Sequence, residues 1–249
     1  MLDDDGMVGR LLSRREVVKW LGAAGTAAVI GDAPAVGGRR NSLLAQVPAC
    51  VVVPQQMEGP YFVDEKLNRS DIRTDPADGK ASAGAELALA LKVASLAADG
   101  KCTPLPSVLV DIWQCDAVGI YSDVQDSRVG FDTKGRKFLR GYQTADANGM
   151  VRFTTIYPGW YPGRAVHVHF KIRTNAGGAR GEEFTSQLYF DEAITDAVHA
   201  LPPYRDKSGR RTLNAADGIY KNGGRELMLE LSKTASGYAG TFELALRRG

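Results

Sequence analysis

Two of the three histidines in this 249-residue chain, His167 and His169, stand two positions apart in the stretch "AVHVHFKIRT". On a β-strand the side chains alternate between faces, so both imidazoles would lie on one face and the apolar residues beside them on the other. Neutral imidazoles are common metal ligands, which makes this pair typical of a metal site. The spacing alone equally allows a structural or exposed pair. The third histidine, His199, lies in a helix-like stretch and is predicted to be exposed.

The ligands that would complete the site decide which metal it could bind. The strand contains no cysteine or carboxylate, and there is no convincing third histidine. A three-histidine zinc site and a two-histidine, one-carboxylate iron site would therefore both lack a ligand. Tyrosine is abundant nearby, and a phenolate is an anionic ligand that favours ferric over ferrous iron. With nine tyrosines in the chain, however, any single one is more simply explained as a core or rim aromatic.

The elements that must position these residues are strands. Six segments alternate or run apolar over strand lengths, and they begin at Glu86, Ser107, Lys137, Met150, Ala165 and Glu183. Two more, "RELMLELSK" and "YAGTFELALR", are separated by "TASG", which predicts a hairpin. Helix is predicted only in "DEAITDAVHAL". Together these segments predict an all-β fold, an antiparallel β-sandwich with an irregular N-terminal arm in "PQQMEGPYFVDEKLNRSDIR".

The N-terminal residues carry an export pattern. Paired arginines in "SRREVVK" are followed by an apolar run from Trp20 to Ile30, which is too short to span a bilayer, and by the small residues "APA". We predict a removable twin-arginine signal over residues 1–35, a linker over 36–49 and one folded domain over 50–249. This predicts contact with the twin-arginine export machinery, no stable membrane anchor, and a periplasmic or extracellular location. The alternative is an amphipathic helix with an accidental arginine pair.

Export makes the three cysteines informative, because disulfides persist in oxidising compartments. Cys50 begins the predicted domain, Cys102 lies in a turn, and Cys115 lies in an apolar strand. We predict a disulfide between Cys50 and Cys102, with Cys115 free and buried. Because spacing does not fix connectivity, three free thiols are the alternative.

The charge pattern argues against one class of partner. The net charge is only +2, and the Lys and Arg residues are scattered singly rather than clustered. This pattern lacks the basic patch that nucleic-acid binding requires.

Four motifs occur along the chain in the order "PQQMEGPYF", "VDIWQCDAVGIYSD", "GYQTADANGMVRFTTIYPGWYPGRAVHVHFKI" and "SQLYF". Together they resemble the intradiol ring-cleaving dioxygenases, the family of protocatechuate 3,4-dioxygenase and catechol 1,2-dioxygenase. The resemblance runs from about Pro54 to Phe190, across the whole predicted sandwich. It is far more specific than the His-x-His pair taken alone.

The resemblance implies a metal centre and the residues around it. The four residues that would hold a non-haem ferric ion, Fe(III), are Tyr121, Tyr161, His167 and His169. Arg164, three positions before the first histidine, and Gln187 would line the reacting centre and contact the substrate. Tyr61 would border the substrate pocket.

The implied reaction joins a catecholic small molecule and O2. The ring would be cleaved between its two hydroxylated carbons to a cis,cis-muconate-type diacid, with no external reductant. Tyr161 would leave the metal and accept a substrate proton, and Arg164 would stabilise negative charge that develops on the ring. The short loop between Tyr161 and His167 and the glycine-rich stretch "TNAGGARGEE" depart from well-known relatives, so the substrate is not implied. A homo-oligomer is possible.

Two functions of other classes are alternatives at this level. One is a secreted β-sandwich binding module with a vestigial metal site, since sandwiches host many functions. The other is a zinc hydrolase, although two phenolates are an unusual ligand set for zinc. The joint presence of all four ligand positions with Arg164 and Gln187 favours the dioxygenase.

Overall fold

The computed structural model describes residues 50–174 and 182–247. The predicted signal over 1–35 and the predicted linker over 36–49 lie outside these residues, as does most of the glycine-rich stretch. In the described ranges, no helix has the length and apolar character needed to cross a bilayer.

Within these ranges the chain forms eleven strands and one α-helix. The strands are β1 (Glu86–Leu96), β2 (Cys102–Pro104), β3 (Leu109–Trp113), β4 (Gln125–Asp126), β5 (Phe131–Asp132), β6 (Arg140–Thr144), β7 (Met150–Ile156), β8 (His167–Arg173), β9 (Glu183–Tyr189), β10 (Ser232–Lys233) and β11 (Gly237–Arg247). The helix is α1 (Glu192–His199), and short 3-10 helices cover Tyr204–Asp206, Asn214–Ala216 and Gly224–Leu227. The Asp191 carboxylate begins α1 by accepting hydrogen bonds from the amides of Ala193 and Ile194.

The first sheet is built around β1. One edge of β1 pairs with β11 in parallel, and the other edge pairs with β7 and β2, both antiparallel. Alternate residues of β1 point into the core, and Leu87, Leu89 and Leu91 are all almost completely buried. The period-2 pattern of this segment in the sequence is therefore confirmed.

The second sheet carries the histidine pair. Its strand order is β6-β3-β8-β9, and every pair in it is antiparallel. Val168, Phe170 and Ile172 of β8 are completely buried and share one core cluster with the leucines of β1. The two sheets thus pack face to face, which confirms the predicted all-β sandwich.

Two local features differ from the prediction. The pair of β1 with β11 is parallel, which is allowed because the two strands are distant in the chain and no hairpin joins them. The predicted strand "RELMLELSK" begins inside the 3-10 helix Gly224–Leu227, and only its last two residues, β10, pair with β11. Leu227 and Leu229 are both buried, and the segment between the 3-10 helix and β10 makes only an isolated bridge, from Met228 to Tyr189 of β9. The apolar alternation there therefore reflects contact with the core more than strand pairing.

The irregular arm before β1 is attached to both sheets. Isolated bridges join Asn68 to Tyr142 of β6 and Asp71 to Thr154 of β7. At the start of the described chain, the Sγ atoms of Cys50 and Cys102 lie 2.00 Å apart, at bonding distance. Cys115 is free and buried.

Candidate active site

The candidate site is centred on two buried imidazoles of β8. His167 and His169 are 2% and 1% exposed, and they lie on the face of β8 opposite the one that enters the main core. Their Nε2 atoms are 3.0 Å apart. Two ring nitrogens thus point at the same small volume.

The surroundings fix the orientation and charge of both rings. His167 donates its Nδ1 hydrogen to the carbonyl of Ala165 at 2.6 Å, which leaves its Nε2 lone pair free. The His169 ring stacks on the indole of Trp113, with centroids 4.8 Å apart and an interplanar angle of 6°. Burial, assisted by the Arg164 charge, lowers the pKa of His167 to about 3. Burial and the neighbouring His167 lower the pKa of His169 well below its usual value. Both rings are therefore neutral at pH 7 and able to bind a metal.

Two phenols complete the cluster from two separate loops. The hydroxyls of Tyr121 and Tyr161 each lie 3.3 Å from Nε2 of His167. Tyr121 follows a tight turn after β3, in which the Asp116 carboxylate accepts hydrogen bonds from the amide of Val118 at 3.0 Å and that of Ile120 at 2.9 Å. Tyr161 lies in the loop that leads from β7 to β8. The four side chains that the family resemblance implies at a metal are thus brought together.

Glycine allows these two loops to touch. Gly119 has φ of +86°, and a Cβ on it would lie 2.1 Å from the carbonyl oxygen of Trp160. A Cβ on Gly159 would lie 2.4 Å from the carbonyl oxygens of Asp116 and Ala117. A larger residue at either position would separate the loops, and with them the two phenols.

An arginine, a glutamine and an aspartate lie beside the cluster. Arg164 donates from its terminal nitrogen to Oε1 of Gln187 at 2.5 Å and from Nε to Oδ2 of Asp217 at 3.0 Å. Gln187 is the strand partner of His169 across β8 and β9. Although burial acts to raise it, the pKa of Asp217 is lowered, because the Ala165 amide and the Arg164 guanidinium stabilise its carboxylate. Asp217 is not predicted from the sequence, because it is 53 positions from Arg164 and belongs to none of the four motifs.

Tyr61 forms a wall of the site. Its ring stacks on Tyr121, with centroids 4.5 Å apart, and meets Tyr161 edge-on at 6.1 Å. Its hydroxyl donates to Oδ2 of Asp126 at 2.6 Å, and the same oxygen is 3.0 Å from the guanidinium of Arg128. Tyr61 therefore packs against both phenols while its own hydroxyl is held by β4.

The donor set fits a ferric ion. The donor atoms around Nε2 of His167 lie 3.0 to 3.3 Å away, a separation expected for atoms that share one metal at about 2.0–2.2 Å. Burial raises the pKa of Tyr161 to about 12 and that of Tyr121 well above its usual value, so a bound cation is needed to hold both as phenolates. Among the described residues, no group of three or more His, Cys, Asp or Glu side chains is arranged to hold a metal. The candidate centre therefore depends on the two phenols.

His199 is not exposed, contrary to the prediction. It is half-buried, its Nε2 donates to the carbonyl of Pro158 at 3.0 Å, and its ring stacks on Tyr204 with centroids 5.0 Å apart. Helix α1 packs against the sandwich through Thr195 and Val198, which carries His199 into this contact. Its role is structural.

Comparisons with known proteins assign a family. A family model described as "Dioxygenase" matches residues 57–206. The beta chain of protocatechuate 3,4-dioxygenase from Burkholderia cepacia is 33% identical over 97 residues, which are 35% of this chain and 38% of that relative. The matched part is thus well under half of that relative's length.

Solved structures extend the comparison to most of the chain. The intradiol ring-cleavage dioxygenase from Tetranychus urticae is 32% identical, with a TM-score of 0.67 over 80% of this chain and 95% of that one. The dioxygenase domain of a dioxygenase and carbohydrate-binding protein fusion from Streptomyces sp. SirexAA-E is 27% identical, with a TM-score of 0.54 over 80% and 99% of the two chains. The chain belongs to the intradiol ring-cleavage dioxygenase family.

Proposed function

We propose that this chain binds one non-haem ferric ion and uses O2 to cleave a catechol-type ring between its two hydroxylated carbons, releasing a cis,cis-muconate-type diacid. The ligands would be Tyr121, Tyr161, His167 and His169. The observation that carries the proposal is the convergence of two phenol oxygens and one imidazole nitrogen within 3.3 Å of Nε2 of His167. Membership of the family supports the same chemistry.

The two phenols have different roles in this proposal. When bound, ferric iron would act as a Lewis acid: the catecholate would chelate it through both oxygens, and the ring would become reactive toward O2 without an external reductant. Tyr121 is completely buried and covered by Tyr61, so it would stay in place. Tyr161 is partly exposed, so its phenolate oxygen is the one that can move aside and accept a proton from an incoming hydroxyl.

Arg164 would supply a fixed positive charge next to the substrate. Its charge reaches Tyr161, where it opposes the effect of burial on the pKa of the phenol. Since the guanidinium stays protonated, it would stabilise negative charge on the ring as the reaction proceeds. Gln187 is held by a hydrogen bond from its Nε2 to the carbonyl of Met57 at 2.9 Å, so its side chain would meet the substrate in one orientation.

Metal analysis, absorption and product analysis of the purified chain test this function. We expect bound iron and a red to burgundy colour from phenolate-to-ferric charge transfer, with a band that changes when a catechol is added. Oxygen and catechol should be consumed in equal amounts without NADH, ferrous salt or a 2-oxo acid. A yellow semialdehyde product would indicate extradiol chemistry instead. A colourless, iron-free protein that is inert to catechols would favour the binding module, and bound zinc with hydrolase activity would favour the zinc enzyme.

We also propose that the chain is exported by the twin-arginine machinery. The paired arginines of "SRREVVK" support this, and a Cys50–Cys102 bond suits an oxidising compartment. Fractionation of bacteria that express the full chain should find it outside the cytoplasm, and Arg14→Lys with Arg15→Lys should retain it inside. Equal export of both chains would contradict the proposal.

A further inference from the structure

Asp217 is a buried carboxylate that lies beyond the family match over 57–206. It follows the 3-10 helix Asn214–Ala216. Its Oδ2 accepts hydrogen bonds from Nε of Arg164 at 3.0 Å and from the amide of Ala165 at 2.7 Å. Its Oδ1 accepts one from the amide of Ile219 at 2.7 Å. Two backbone amides thus hold this carboxylate in place independently of its contact with the guanidinium.

The contacts of Asp217 fix the side chain of Arg164 and the backbone of Ala165, two successive residues just before β8. One oxygen binds both the side chain of Arg164 and the backbone of Ala165, so the guanidinium cannot rotate without losing a charge-assisted hydrogen bond in a buried place. Arg164 is only 15% exposed and the Asp217 carboxylate only 1%. If the hydrogen bond between the two side chains were lost, little water could reach either group to replace it.

A second path of hydrogen bonds joins the same loop to Arg164. Nε2 of Gln56 donates to two backbone carbonyls of the loop 217–222, each at 3.1 Å. The Tyr189 hydroxyl lies 2.9 Å from Oε1 of Gln56 and 3.2 Å from Oε1 of Gln187. That same oxygen of Gln187 accepts a hydrogen bond from Arg164. The guanidinium is therefore held on two sides, and both contacts lead to the loop 217–222.

We propose that Asp217 is a positioning residue for ring cleavage, which holds the Arg164 guanidinium where negative charge develops on the substrate. The inference rests on the proposed function of the site. Asp217 would act only through Arg164. Its loss should therefore reduce turnover while the metal ligands keep their places.

A double-mutant cycle in the full-length, iron-loaded protein tests the proposal. Asp217→Asn keeps the shape of the side chain and removes its charge. We expect kcat per bound iron to fall about 10- to 100-fold, with iron content and the resting charge-transfer band unchanged. In an Arg164→Ala background, the same substitution should have no further effect on kcat, because the group that it positions is already gone.

Asp75→Asn is the matched control. Asp75 is also a completely buried aspartate, and it is held by Arg136 at 2.5 Å and by the amides of Ala77 at 2.9 Å and Lys137 at 3.2 Å. It lies in the irregular arm and contacts none of the residues proposed for catalysis. This variant should lose stability but keep its turnover per bound iron.

Several results would overturn the role of Asp217. An equal loss of kcat in both backgrounds, or a loss of iron in step with activity, would make Asp217 merely structural. If Asp217→Asn alone does not fold but the double variant Asp217→Asn, Arg164→Ala does, the fold is lost because Arg164 is left unpaired, and the pairing is supported. A double variant that also fails to fold overturns it.

A readout without iron separates this inference from the proposed function. If the wild-type chain proves to lack iron or turnover, the proposed function fails, but the pairing can still be measured by denaturant unfolding of the same four chains. The two substitutions should then be non-additive, since Asp217→Asn leaves a buried unpaired charge only where Arg164 is present. Additive losses of stability would overturn the pairing itself.

Discussion

At the scale of the residue, the three histidines divide into two kinds. The Nε2 atoms of His167 and His169 face each other, and that of His167 also meets two phenols. His199 instead donates to a backbone carbonyl and stacks on Tyr204. His199 is half-buried and the other two are fully buried, so loss of exposure does not by itself identify a metal ligand. The convergence of donor atoms does.

His167→Ala or His169→Ala should abolish iron binding and leave a folded sandwich. Each substitution removes one nitrogen donor, while the backbone of β8 stays paired on both sides and the apolar face of the strand is unchanged. Iron analysis together with circular dichroism checks this. His199→Ala is the matched control and should retain iron. If either β8 variant unfolded outright, the histidines would be structural.

Arg164→Ala should retain iron and lower turnover by about 10² or more, the cost of losing one preorganised electrostatic group. Steady-state kinetics normalised to bound iron measures this. Arg173→Ala is the control, because Arg173 is the last residue of β8, donates to Asp111 at 2.9 Å and contacts none of the proposed metal ligands. Loss of iron and activity in equal proportion in Arg164→Ala would indicate a structural arginine.

At the scale of the element, the site depends on how closely the turn after β3 approaches the loop after β7. Gly119→Ala should reduce iron binding, because its Cβ would lie 2.1 Å from the Trp160 carbonyl oxygen and would drive the two phenols apart. Gly100→Ala is the control: Gly100 has nearly the same φ, +82°, with nothing within 4 Å of its Cβ. Both variants should lose about 1–2 kcal/mol of stability from the backbone conformation, and only Gly119→Ala should lose iron. Equal iron content in the two would refute this account.

The disulfide bond between Cys50, at the start of the described chain, and Cys102 of β2 belongs to the same scale. In a Cys50→Ser, Cys102→Ser double variant, the free energy of unfolding should be about 2–4 kcal/mol lower, since the bond closes a long loop in the unfolded chain. Denaturant unfolding measures the difference, and a thiol reductant should bring the wild-type chain to the level of the variant. Identical unfolding curves without reductant would show that this bond contributes nothing.

At the scale of the whole molecule, the proposed metal joins three segments of the chain: the turn after β3, the loop after β7 and β8 itself. A ligand that binds only the folded state stabilises it, by about 2.7 kcal/mol when it is present at one hundred times its Kd. Removal of iron by a chelator should therefore lower the Tm of the wild-type protein. The His167→Ala chain should show no such response. An unchanged Tm on iron removal would mean that the metal does not bridge these segments.

The amino-acid sequence by itself determined most of the long strands of the two sheets and the face on which the histidines of β8 lie. Both follow from local periodicity, because a side chain two positions along a strand returns to the same face whatever the strand pairs with. The resemblance of the ordered motifs from "GPYF" to "QLYF" to the intradiol dioxygenases also implied that Tyr121, Tyr161 and Arg164 share one site.

The tertiary structure alone decided which distant segments meet. Asp217 bonds to the amide two positions later, a common pattern in turns, so nothing local shows that its other oxygen binds Arg164. The burial of His199 and the parallel pairing of β1 with β11 likewise depend on packing between remote surfaces. A long loop adds little entropy cost per added residue, so such contacts form between residues whose separation in the sequence predicts nothing about their distance in space.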